Sequence, residues 1–143
     1  MITENITFKN NNNETLSGKI FKNENMSTTG VIFCHGLFSS KDAYKINRLA
    51  TDIVDAGHTL LTFNFSFIEH NKPGKISIKQ EIDDLDAAVS FFYSQGITDM
   101  HIIGSSMGGV IATLYISQHT DIFLSFISIA TPVDLPGLVK NLT

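Results

Sequence analysis

The chain has 143 residues, 43% of them hydrophobic and 17% charged, with a formal net charge of −4. That length fits one domain, able to bury roughly two-thirds of its unfolded surface in a core without covalent staples. The acidic balance and the lack of a basic run exclude a nucleic-acid or anionic-membrane binder, and the single cysteine excludes an internal disulfide framework. The start, MITENITFKN, has no apolar h-region, and no apolar run approaches ~20 residues, which predicts a cytoplasmic chain without signal peptide or membrane span.

Ile2 to Phe8 alternates apolar and polar residues as an exposed strand does. Asn10 to Glu14 reads as a polar, tolerant loop tip, and Thr15 to Phe21 resumes as a strand, predicting a β-hairpin. Asn23 to Gly30 is a polar loop. Val31 to Cys34 is the continuous apolar run of a strand buried on both faces. A helix follows with Ile46, Leu49, Ala50, Ile53 and Val54 on one face and Gly57 at its C-terminal cap. Thr59 to Phe65 is the next strand, and Glu69 to Gly74 falls in a loop. Ser77 to Ser94 is predicted helical, its stripe formed by Ile78, Ile82, Leu85, Val89 and Phe92. Glu81, Asp83, Asp84 and Asp86 favour the positive end of that helix dipole and read as a solvated face. Met100 to Gly104 is a strand, Ser106 to His119 a helix, and Phe123 to Ala130 a strand. The tail, Thr131 to Thr143, shows no clear element. A hairpin followed by alternating strands and helices predicts an α/β fold, with a mainly parallel sheet and helices on both faces.

The segment richest in chemistry is Gly104-Ser105-Ser106-Met107-Gly108-Gly109, which matches G-x-S-x-G between an apolar strand and an apolar helix. Reversing a strand into a helix within a few residues strains the central serine and lifts its hydroxyl above the sheet edge. Side chains two positions either side would collide with neighbouring backbone, hence Gly104 and Gly108. A dinucleotide-binding turn is excluded, because its second glycine position is occupied by Ser106. A small-residue turn that only packs helix on strand is the non-chemical alternative.

Directly after the first buried strand stands His35-Gly36-Leu37, with the serine motif about 70 residues on. Here the sequence resembles the α/β-hydrolase superfamily, in which an HG-x loop follows one strand and a G-x-S-x-G elbow another. The early hairpin and the strand exit Ala130-Thr131-Pro132 are similar to its serine-aminopeptidase-like branch of acyl esterases, monoacylglycerol lipases and peptidases. The resemblance spans about residues 2–135 and corresponds to the N-terminal half to two-thirds of that fold. It implies Ser106 as nucleophile and the backbone N–H groups of Leu37 and Met107 as oxyanion donors. His35 and Gly36 would order the oxyanion loop. It implies no metal and no organic cofactor. Where members carry a glycine-rich R/S-G-H-G-x-S segment, this chain has Phe65-Ser66-Phe67-Ile68-Glu69-His70.

The family's acid and base follow the nucleophile in the chain. After Ser106 stand one histidine, His119, and two acids, Asp121 and Asp134. His119 lies ~20 Å down the helix from the elbow at ~1.5 Å per residue. His58 and His101 begin strands and fall at the opposite sheet edge, whereas His35, His70 and Asp134 follow strands and fall at the elbow's edge. Ser106, His70 and Asp134 thus form a conceivable substitute triad. Cys34 reads as a buried core residue. The expectation is a single, C-terminally incomplete domain over residues 1–143. It is a serine hydrolase for small acyl or ester substrates whose base and acid lie outside this chain, with a sheet edge open to self-association or a partner strand. A truncated, non-catalytic binding module of the same fold, or a gene remnant without selected function, is the alternative.

Overall fold

The computed structural model describes residues 1–72, 76–132, 134, 136, 137 and 140. The chain runs β1 (Ile2–Lys9), β2 (Thr15–Lys22), β3 (Thr29–Cys34), α1 (Lys45–Asp55), β4 (Thr59–Phe63), α2 (Ser66–Glu69), α3 (Ile78–Ser94), β5 (Asp99–Ser105), α4 (Met107–Gln118) and β6 (Phe123–Ile129). The strands form one sheet in the order β1-β2-β4-β3-β5-β6. The pairs β1–β2 and β2–β4 are antiparallel; β4–β3, β3–β5 and β5–β6 are parallel. The α/β architecture read from the sequence is the one observed.

Successive strand residues face opposite sides of a sheet, and the central strands divide their apolar residues between two layers accordingly. Val31 and Phe33 of β3, Leu60 of β4 and Ile103 of β5 pack with Ile46, Ala50 and Val54 of α1. Ile32 and Cys34, Leu61 and Phe63, and Met100 and Ile102 face the other way, onto Leu85, Ala88, Val89 and Phe92 of α3 and Ile111, Ala112 and Tyr115 of α4. Each fully buried Leu, Ile or Phe contributes ~1.5–3 kcal/mol, so three strands apolar on both faces hold both helical layers to one sheet. Gly57, at φ +94°, closes α1 by donating its N–H to Val54 O. At the sheet margin β6 pairs with β5 alone among the described residues, and Leu124, Ile127 and Ile129 are exposed. Among the described residues no helix is long and apolar enough to cross a membrane.

Several sequence expectations need correcting. Strand β4 stops at Phe63, and the predicted loop opens with the single helical turn α2, whose Glu69 N–H donates to Phe65 O at 3.1 Å. Pro73 and Gly74 of that loop, and Val133, Leu135, Leu138, Val139 and residues 141–143 of the tail, lie outside the described residues. The asparagine run is not a free loop tip. Asn10 is buried, donates to Asp84 Oδ1 at 2.9 Å and accepts the N–H groups of Asn12 and Glu14; Asn11 donates to Asp83 Oδ2 at 2.9 Å. The hairpin turn therefore docks on the N-terminal half of α3.

The acids of α3 are likewise not all solvated. Asp84 is buried and accepts from Asn10, from the Ser66 N–H at 2.8 Å and from Gln80 Nε2 at 3.0 Å. Glu81 is buried with neither carboxyl oxygen hydrogen-bonded among the described residues. Burial, followed by the charge of Asp84, pushes its carboxyl up from an ordinary 4.5 to about 8. The folded chain thus holds a proton there that the unfolded chain releases near pH 4.5. That stabilisation is complete below about pH 4.5 and declines as pH rises through about 8, by at most ~1.4 kcal/mol per pH unit. Glu81→Gln should raise the melting temperature at pH 9 and leave it nearly unchanged at pH 4.5, read by thermal denaturation across pH. An equal effect at both pH values would contradict this account of Glu81.

Candidate active site

Parallel strands bring their C-terminal ends to one edge, where α/β sheets gather their functional loops. Because β3 and β5 are neighbours, the His35-Gly36-Leu37 loop leaving β3 lies directly beside the turn leaving β5. A Cβ on Gly36 would sit 3.5 Å from both Ser105 O and Ser106 Cβ. The two motifs, about 70 residues apart in the chain, are in van der Waals contact in the fold.

Ser106 occupies φ 53°, ψ −117°, a conformation non-glycine residues rarely adopt and one that costs ~1–3 kcal/mol. It is exposed, while Gly104, Ser105, Met107 and Gly108 around it are buried. Three features hold the strain in place. The Ser106 N–H donates to Ile129 O on β6 at 2.8 Å, and Ser106 O accepts from Gly109 N at 2.9 Å, opening α4. Both flanking glycines are needed for space: a Cβ on Gly104 would lie 2.5 Å from Gly109 Cα, and one on Gly108 would overlap Cys34 O and lie 2.6 Å from His35 O. A Cβ on Gly109 would overlap the Thr131 hydroxyl.

The N–H groups of Leu37 and Met107 are directed to no acceptor among the described residues. Met107 opens α4, so the helix dipole adds its positive end at this point.

His35 is committed to structure. Its Nε2 accepts the Phe65 N–H at 3.1 Å, which leaves the ring proton on Nδ1, facing Gly36 O at 2.6 Å. Burial lowers its pKa, against the opposing hydrogen bond to Gly36, and Phe65 packs edge-on at 5.0 Å. A neutral His35 therefore ties the loop after β3 to the exit of β4. Cys34 is fully buried, and burial, with the Glu81 charge, pushes its thiol above the usual range.

The substitute triad does not assemble among the described residues. His70 Nε2 faces Thr15 O at 3.1 Å, with Glu14 at 3.8 Å. Thr15 begins β2, three strands from β5 and so roughly 14 Å away at ~4.8 Å per strand. Asp134 is exposed and accepts the Gly137 N–H at 3.1 Å. His119 stacks on Tyr115 at the far end of α4, and His58 and His101 lie 6.1 Å apart at the opposite sheet edge.

A cavity of about 300 Å³ opens over Ser106, walled by Phe33, Gly36, Leu37, Phe38 and Lys45. Larger depressions near the hairpin contain none of these groups. Sequence reasoning missed Lys45, whose only mark in the chain is its place at the start of an amphipathic helix.

With this geometry in hand, the comparisons with known proteins fall into place. The sequence profile of the family described as alpha/beta hydrolase fold matches residues 30–141. The chain belongs to the α/β-hydrolase family. A search of curated proteins gives no match. Among solved structures, an alpha/beta hydrolase from Penicillium sp. sh18 superposes with a TM-score of 0.81 at 18% identity, covering 99% of this chain and 51% of that one. The esterase domain of a Rhodothermus marinus protein gives 0.75 at 23% identity, covering 98% and 54%. A proline iminopeptidase from Mycobacterium smegmatis gives 0.76 at 14%, covering 96% and 47%. This α/β-hydrolase chain spans about half the length of those structures.

The elbow glycines act through excluded volume, and Gly57 acts through conformation alone. Gly108→Ala should cost about 3 kcal/mol or more, because the obstructing atoms are backbone. Gly57→Ala, with nothing within 4 Å, should cost about 1 kcal/mol for its positive φ. Urea denaturation of both variants checks this; equal costs would refute the close-packed elbow.

Proposed function

We propose that this chain carries the nucleophile and oxyanion hole of a serine hydrolase acting on carboxyl esters or related acyl substrates. The observation that carries the proposal is an exposed serine held at φ 53° beside two backbone N–H groups without a described acceptor. In the reaction, Ser106 Oγ attacks the acyl carbonyl carbon and gives its proton to a general base. The carbonyl oxygen becomes an anion that the Leu37 and Met107 N–H groups receive, a donor of this kind contributing ~2.7–4 kcal/mol to the transition state. Collapse expels the alcohol, which takes up the proton, and water then hydrolyses the acyl-serine. Esterases and a peptidase among the similar structures support the acyl-transfer class.

The base and acid come from outside the described residues, since none of the five histidines of the chain is placed to take the Ser106 proton. Among the described residues β6 pairs on one side only, and its Leu124, Ile127 and Ile129 are exposed, which leaves an edge where a strand carrying them could pair. The same open edge favours a second reading, a binding module that recruits a partner strand and performs no chemistry.

Fluorophosphonate labelling read by intact mass separates the two, with added imidazole standing in for the base. The isolated chain should label slowly, because a general base contributes ~10²–10⁴-fold. Imidazole should accelerate labelling, and Ser106→Ala should abolish it. No labelling even with imidazole would favour the binding module. Prompt stoichiometric labelling without imidazole would place a base inside this chain.

A further inference from the structure

We infer that the cavity over Ser106 has a subsite for a carboxylate on the substrate, formed by Lys45; the inference rests on the hydrolase reading and names its substrate class as esters that carry a second, ionised carboxyl group. Lys45 Nζ donates to Ser105 Oγ at 3.2 Å and stands 5.9 Å from the centre of the Phe33 ring. Lys45 is exposed, and these contacts direct its ammonium toward the cavity that Ser106 opens into. Among the residues lining that cavity, Lys45 is the one with an ionisable side chain, so a bound molecule there meets a single positive charge.

The charge is uncompensated. Asp42, the nearest acid in sequence, bridges Lys19 and Lys41, and Lys45 has no carboxylate partner among the described residues. Lys45 is also the first residue of α1, a helix with no acidic side chain in its first turn. A cation at that end opposes the helix dipole. Lys45 is thus an exposed cation with no carboxylate partner among the described residues, next to the proposed nucleophile.

One ammonium matches one carboxylate. A phosphate dianion would leave one negative charge unbalanced beside the single cation that lines this cavity. Besides Lys45 and the serines Ser39, Ser105 and Ser106, the wall offers the apolar side chains of Phe33, Leu37 and Phe38, the last of them 89% exposed, which can line the chain joining the carboxylate to the ester. The substrate class is therefore a half-ester of a dicarboxylic acid, with the ester carbonyl at Ser106 and the free carboxylate at Lys45.

The test is a backbone-amide NMR titration of the 143-residue Ser106→Ala chain with monomethyl glutarate and with methyl valerate, which replaces the carboxylate by a methyl group. Binding is read where no acyl transfer can occur, so its failure leaves the Ser106 labelling result standing, and the converse. Monomethyl glutarate should shift the Leu37 and Met107 amides and bind about fivefold or more tightly than methyl valerate, the preference shrinking as salt rises. Lys45→Met should erase the preference and Lys45→Arg should retain it. Equal affinity for the two esters, a preference that survives in Lys45→Met, or no shift of the cavity amides would overturn the inference.

Discussion

The approach of Gly108 to the backbone at Cys34 and His35 is the contact on which the rest of the site depends. The first turn of α4 sits so close to the exit of β3 that a methyl group between them would overlap a carbonyl oxygen. That closeness brings the loop that carries Leu37 against the turn that carries Ser106 and Met107. It also forces β5 to turn abruptly into α4, which drives Ser106 to positive φ and outward. The strain at Ser106 is offset by buried Ile102, Ile103, Val110 and Ile111 on either side of the turn. The exposed serine and the paired donors are therefore consequences of a single packing constraint.

The elements around the elbow hold its geometry from three directions. A neutral His35 ties the loop after β3 to the start of α2 through the Phe65 N–H. From the opposite side, β6 accepts the Ser106 N–H at Ile129. Farther off, Asp84 of α3 accepts from Ser66 of α2 and from Asn10 of the hairpin turn, linking the N-terminal hairpin to the same edge of the sheet. The polar side chains that line the cavity are Ser39, Ser105, Ser106 and Lys45. Among them Lys45 is the one that carries a charge.

Much of this was legible in the chain, and the reason is geometric. Buried parallel strands such as Val31–Cys34 require unbroken apolar runs, and a strand-to-helix reversal requires Gly104 and Gly108, so both leave signals that sequence alone transmits. The buried acids of α3 left no such signal. Glu81 and Asp84 occupy a helix N-terminal half where acids are ordinary, and only the docking of the asparagine turn and α2 buries them. The role of Asn10 was hidden for the same reason, since its partner lies 74 positions away. His70 looked available because it follows a strand, but the single turn α2 carries it toward β2 and Thr15. Lys45 was missed because its setting depends on Ser105, which β5 delivers from 60 residues downstream.

The central claim is that Ser106 attacks an acyl group whose oxygen is received by the Leu37 and Met107 N–H groups. The most direct measurement is a crystal structure of the chain after exhaustive phosphonylation with a fluorophosphonate. The account predicts a single adduct on Ser106 Oγ, with the phosphoryl oxygen ~2.7–3.1 Å from both nitrogens. An adduct on Ser105, or one on Ser106 whose oxygen points away from either N–H, would contradict it.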